Sequence, residues 1–182
     1  APRSEGKKTK EISRSHKLIR EKSGLITIIG GKWTTYRKMA QDTLDLAIRY
    51  MHIPTKDCIT ERYQIHGSRK NPDFSDPLYV YGTDADEIRN LVASSPAMAE
   101  KLHPDYAYTV GEVTWLVRNE MPRTLEDVLA RRLRILFLDA RAAMAMAPKV
   151  AGILATEWGK DETWTSAQVK AFNEVASNYI LN

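Results

Sequence analysis

Residues 24–37 read GLITIIGGKWTTYR, a β-branched apolar run that stops at two consecutive glycines and passes into a polar segment. LITII has the length and branching of a short buried strand, and Lys22-Ser23-Gly24 ahead of it supplies a tight turn. On the far side, Met39, Ala40, Thr43, Leu44, Ala47, Ile48 and Met51 recur at helical spacing, so a helix of about five turns follows from Thr34. On the near side, residues 9–21, TKEISRSHKLIRE, mix β-branched and polar positions and read as the other arm of a hairpin. The order is hairpin, glycine pair, helix. Such a junction lets backbone approach a ligand closely and aims free amides, with the positive end of the helix dipole, at an anion. Its spacing is not that of a P-loop, and no G-x-G-x-x-G occurs in the chain. Geometry alone favours a plain strand-to-helix turn over a ligand site.

Downstream, residues 52–80 hold Pro54, Gly67, Pro72 and Pro77 and read as a linker with one short strand at TERYQI, residues 60–65. Helices are expected from Asp84 to Ala93, Pro96 to Leu102, and Thr109 onward, where Glu112 completes a T-x-x-E capping box. Thr124 and Asp127 repeat that device after Pro122. The helix they start carries Leu125, Val128, Leu129, Leu133, Leu136 and Phe137 on one expected apolar face. A further helix spans Asp139 to Trp158, kinked or divided by Pro148, and the last runs from Thr165 to Ile180. The fold class is therefore mainly α with a short β-hairpin, in three parts: residues 1–51, a linker at 52–80, and a helical domain at 81–182.

Composition narrows the class. With 182 residues and 43% of them hydrophobic, a collagen, a disordered tail and a disulfide scaffold are excluded. The longest apolar runs, LITII and ILFL, fall far short of the ~20 residues needed to span a bilayer, and the basic start lacks the apolar region of a signal peptide. Cys58 is the only cysteine and has no partner for a disulfide, so a reducing, cytoplasmic setting fits best. The net charge of +4 is uneven: residues 1–40 carry 11 Lys or Arg against 3 Glu, a net of +8, leaving −4 for the other 142. A basic segment of this kind suits nucleic acid, an anionic membrane or a phosphorylated ligand. His52, His66 and His103 are scattered and form no metal-like set.

SRSHKL, SGLITIIGGKWTTYRKMAQDT and EMPRTLEDVLARRLRILFLDARAAMAMAPKVA together resemble, in order, the C-terminal portion of the flavin-dependent glycerol-3-phosphate dehydrogenases and the related α-glycerophosphate oxidases. The resemblance spans nearly the whole chain, and GGKWTTYR and TLEDVLARR are its specific elements. It implies that residues 1–51 are the tail of an FAD-binding α/β domain whose opening G-x-G-x-x-G unit is not in this sequence. A C-terminal piece of the enzyme is expected, followed by its small helical domain.

The resemblance also implies roles. Gly30, Gly31, Lys32, Trp33 and Thr34 match the backbone that faces the pyrimidine edge of the isoalloxazine, where a helix N-terminus and a lysine stabilise the charge of reduced flavin. Arg14 matches an arginine that holds the substrate, and its guanidinium suits a phosphate dianion; Lys32 is assigned a substrate contact as well. Tyr36, Arg37 and Lys38 open the helix, where covering the flavin and packing or surface pairing are equally open to them. No catalytic residue is assigned within the chain, because the acid/base candidates belong to the earlier part of the family's sequence; His16 shares a strand face with Arg14 but is not chosen. The implied reaction takes sn-glycerol 3-phosphate to dihydroxyacetone phosphate, with electrons passing to quinone, or to oxygen in the oxidase branch. FAD is expected in the intact enzyme and not in the isolated chain. The implied partners are the rest of the flavin domain and, through the apolar hairpin edge, a second copy of the chain. For the helical domain, capping the flavin domain, a dimer contact and steering to the inner face of the membrane all fit. The rival reading is a free-standing module using the basic arm and Arg131, Arg132 and Arg134 on nucleic acid. That arm has no aromatic residue before Trp33 for stacking, so no nucleic-acid partner is expected.

Overall fold

A computed structural model describes residues 15–54 and 56–180. Its contacts divide the chain into two units, residues 1–65 and 66–182. The fold is mainly helical with one two-stranded sheet. Among the described residues no helix is long and apolar enough to cross a membrane.

In the first unit, β1 (His16–Arg20) pairs antiparallel with β2 (Ile26–Gly30), His16 lying opposite Gly30 and Arg20 opposite Ile26. Gly24 supplies the left-handed residue that reverses the chain, with φ +91°. A 3₁₀ turn, Trp33–Thr35, feeds α1 (Tyr36–Met51), which closes on His52 in the left-handed conformation. The Arg20 guanidinium sits 4.0 Å from the centroid of Tyr50, pinning the hairpin to the end of α1. None of the described side chains here is fully enclosed. The strand expected at residues 60–65 does not form: these residues run through turns, with Tyr63 and Ile65 exposed. β-branched content alone offers no pairing partner, and a strand without a ladder leaves its amides to water.

The second unit begins within the stretch read as a linker. His66 Nε2 bonds Asp84 Oδ2 at 2.7 Å, Thr83 N–H donates to the Gly67 carbonyl at 3.2 Å, and Arg89 pairs with Asp76. Residues 66–80 are thus tied to the helical unit. The helices are α2 (Ala85–Ala93), α3 (Pro96–Ala99), α4 (Val110–Asn119), α5 (Ile135–Leu138), α6 (Ala140–Trp158) and α7 (Glu162–Ser177). Side-chain oxygens of Ser95, Thr109, Asp139 and Asp161 accept from the amides three residues on, so the N-termini of α3, α4, α6 and α7 are chemically capped. Asp127 Oδ2 accepts from Thr124 N–H at 2.9 Å while Thr124 Oγ1 accepts from Asp127 N–H at 3.2 Å, the reciprocal cap read from sequence. Small residues on α6, among them Ala143, Ala147 and Ala151, let α4, α5 and α7 approach closely. Pro148 is exposed on α6, and the helix runs through it undivided.

Two expectations are corrected here. The helix after Thr124 widens into a π segment, Asp127–Arg132, where Leu133 N–H reaches the Val128 carbonyl at 2.9 Å, and then breaks at Arg134, whose φ is +59°. Leu125, Val128, Leu129, Leu133 and Leu136 remain buried, but Phe137 is rotated out and is 54% exposed. An inserted π residue and a left-handed break shift the helical phase, which a fixed 3.6-residue period cannot register. The segment expected helical to Leu102 turns extended at Glu100, where its carbonyl accepts from Val110 N–H at 2.9 Å.

Candidate functional site

β2 ends at Gly30 with φ +79°, and Gly31 follows with φ +86°. Both angles are strained for any residue with a Cβ. A Cβ at Gly31 would also displace the end of the Met39 side chain and stand 3.5 Å from His16 Cβ. The glycine pair thus lets the turn lie directly on α1 and β1. Gly31 N–H donates to the Ser15 carbonyl at 3.2 Å, and Lys32 N–H to Thr35 Oγ1 at 3.2 Å. Thr35 Oγ1 donates in turn to the Lys32 carbonyl at 2.8 Å. The amides of Trp33 and Thr34 find no acceptor among the described residues, so two donors at the opening of the Trp33–Met51 helical run remain available. The Lys32 ammonium has no partner among the described residues either.

These groups stand at the edge of a groove of about 640 Å³ whose walls include Ile28, Met39, Ala40 and Leu44. Trp33, 87% exposed, and Tyr36 form its rim with ring centroids 5.9 Å apart. Apolar walls with amide donors and a cation at one end suit a flat heteroaromatic ligand that carries or develops negative charge. The residues present fit the isoalloxazine of a flavin on those grounds.

Gly30, Gly31, Lys32 and Trp33 therefore line one groove, while Thr34, the next residue of the 3₁₀ turn, is not among its lining. Arg14 lies outside the described residues. Of the three residues that open the helix, only Tyr36 borders the groove. Arg37 bonds to Gln41 Oε1 at 3.0 Å and to Thr60 Oγ1 at 3.2 Å, and Lys38 pairs with Asp42 Oδ1 at 2.8 Å. Asp42 was missed by sequence reasoning. Its Oδ2 lies 2.9 Å from His16 Nε2, and its carboxyl is held below the usual carboxylate range by the Lys38 ammonium and then by His16. The i,i+4 spacing of Lys38 and Asp42 was visible, but the link to His16 spans 26 residues.

In the helical unit, Arg131 is held by Asp127 and Glu126 at 2.9 and 2.7 Å. Arg132 lies 3.2 Å from Glu120 Oε2 and donates to the Asp127 carbonyl at 3.0 Å. Two of the three arginines on which a nucleic-acid reading rests are thus engaged within the fold. Trp115 is buried and donates to Glu87 Oε2 at 3.1 Å, while Trp158 and Trp164 pack edge to face at 5.7 Å. Among the described residues no group of three or more His, Cys, Asp or Glu could hold a metal ion.

Comparison with known proteins adds a family. Residues 25–165 match the family model described as the C-terminal domain of alpha-glycerophosphate oxidase. The chain is 34% identical to a probable mitochondrial glycerol-3-phosphate dehydrogenase of Caenorhabditis elegans, over 96% of this chain and 26% of that protein. A counterpart of Dictyostelium discoideum is also 34% identical, over 96% of the chain and 29% of its own length. The mitochondrial glycerol-3-phosphate dehydrogenase of Arabidopsis thaliana is 31% identical, over 94% and 34% respectively. The chain thus spans about a quarter to a third of the length of these relatives. Nothing in these likenesses supports a nucleic-acid module.

Proposed function

This chain belongs to the family of the C-terminal domain of alpha-glycerophosphate oxidase, and on that premise we propose that it works as the C-terminal portion of an FAD-dependent glycerol-3-phosphate dehydrogenase. The enzyme oxidises sn-glycerol 3-phosphate to dihydroxyacetone phosphate and passes the electrons to a quinone. One observation carries this reading: Gly30, Gly31, Lys32 and Trp33 line an apolar groove, and the Trp33 and Thr34 amides have no acceptor among the described residues.

When bound, the flavin supplies the acceptor for the hydride removed from the substrate. The Trp33 and Thr34 amides would hold its pyrimidine edge, and the positive helix end with Lys32 would favour negative charge there. Ile28, Met39 and Leu44 keep water from that edge. Arg14 takes the substrate phosphate through its guanidinium fork. The remainder of the flavin domain covers the first unit, a role supported by the absence of any enclosed side chain among its described residues. Self-association through the hairpin is the second use of the same open edge. The enzyme works on the cytoplasmic side, peripheral to the inner face of the membrane.

Turnover of the full-length enzyme with glycerol 3-phosphate and a soluble quinone tests this. One dihydroxyacetone phosphate should form per quinone reduced, and Lys32→Ala should slow bleaching of the flavin's visible absorbance in a single turnover. Absence of oxidation, or bleaching untouched by Lys32→Ala, would contradict the reading.

A further inference from the structure

The glycine turn is a short loop between a two-stranded hairpin and a helix, and few contacts hold the three together. β1 and β2 are joined by their ladder, which ends with His16 opposite Gly30. α1 has no fully buried side chain to weld it to the sheet. Among the described residues a polar connection joins β1 to α1 beside the turn: His16 Nε2 to Asp42 Oδ2 at 2.9 Å, with Lys38 Nζ on Asp42 Oδ1 at 2.8 Å. Because the ionised Asp42 only accepts, His16 Nε2 carries the proton in this contact. His16 also lies beside Gly31, its Cβ 3.5 Å from where a Gly31 Cβ would stand, and the neighbouring Ser15 carbonyl takes the Gly31 amide. The residue that grips α1 is therefore the one that backs the turn.

We propose that His16 and Asp42, braced by Lys38, form a side-chain clamp that sets the geometry of the Gly30–Thr34 turn, making His16 and Asp42 positioning residues for the amides that face the flavin. The role in flavin positioning rests on the function proposed above; the clamp itself rests on the distances alone. The clamp fixes the depth at which the hairpin end sits on α1. That depth decides where the Trp33 and Thr34 amides point, and donors a few tenths of an ångström out of place lose much of their hold on a charged acceptor. His16 touches no reacting atom in this account and acts through the turn.

The test has two arms. In this chain, ¹H–¹⁵N spectra of His16→Ala, Asp42→Ala and the double variant should show the same amides moving, those of Gly30, Gly31, Lys32 and Trp33, with the double variant no worse than either single one. His16→Gln, whose side-chain amide can still donate to Asp42, should return these shifts toward the wild type, and Gly111 and Gly152 in the helical unit should not move. In the full-length holoenzyme, His16→Ala should weaken the preference for reduced flavin about three- to tenfold, a fall of about 15–30 mV in a two-electron midpoint potential, with His16→Gln restoring it. Turn amides that stay put in Asp42→Ala, or effects that simply add in the double variant, overturn the clamp whatever the flavin does. Turn amides that move while the potential does not would overturn the positioning role and count against the flavin assignment of the turn.

Discussion

Replacing Tyr81 with Phe removes one oxygen and tests the buried polar centre of the helical unit. Glu112 is 4% exposed, an unusual place for a carboxyl, and Tyr81 Oη donates to its Oε1 at 2.7 Å. Burial pushes the Glu112 carboxyl above the usual carboxylate range, while the Tyr81 hydroxyl and the Thr109 amide pull it back. The native state therefore binds the Glu112 proton more tightly than the unfolded chain does. Its contribution to stability is full below the ordinary carboxylate range and is lost as pH rises through the raised native value. Deleting the hydroxyl raises that value further, so the penalty must grow with pH. A neutral hydrogen bond is worth about 1 kcal/mol and one to a charged group about 1.5–3 kcal/mol, so Tyr81→Phe should cost about 1 kcal/mol near pH 4 and about 2–3 kcal/mol near pH 8. Urea unfolding at both values, with unchanged slope, measures this. Glu112→Gln keeps an acceptor for Tyr81 and removes the titration, so in that background the Tyr81→Phe penalty should be the same at both pH values. An equal penalty at both in the wild-type background would refute the reasoning.

Gly82→Ala should destabilise the helical unit by more than about 3 kcal/mol, because φ +56° with ψ −120° is closed to other residues and an added Cβ collides with the Gly67 carbonyl; a melting temperature within a degree or two of wild type would contradict this. In the full-length enzyme, Arg14→Ala should cost about 2–3 kcal/mol, roughly 30- to 150-fold in kcat/KM for glycerol 3-phosphate, and leave unphosphorylated glycerol nearly unaffected; equal losses with both would remove the phosphate role. The isolated 182-residue chain should be colourless and inactive with added FAD, since two amides and a lysine offer too little to offset the immobilisation of so large a ligand; a yellow preparation with stoichiometric flavin would overturn this.

What the sequence made legible was local. The LITII strand, the glycine pair and the helix after it lie within one window, and the Thr109 and Thr124 caps each join residues three apart. The position of the glycine pair at the groove was readable for the same reason, since strand, glycines and helix start are contiguous. What escaped depended on partners distant in the chain or on a change of helical phase. Asp42 meets His16 across 26 residues, and Glu112 meets Tyr81 across 31. Phe137 was misplaced because the π segment and the left-handed Arg134 intervene between it and the leucines that set the face. The residues at 60–65 have strand-like chemistry but pair with no strand among the described residues.

Hydrogen exchange on the full-length enzyme, with and without bound FAD, reads whether the Gly30–Thr34 turn faces the flavin. The amides of Trp33 and Thr34, which have no acceptor among the described residues, should exchange markedly more slowly once FAD is bound, while amides in the core of α4 and α6 keep their rates. Exchange at Trp33 and Thr34 that is indifferent to FAD, in an enzyme that demonstrably holds it, would contradict the account.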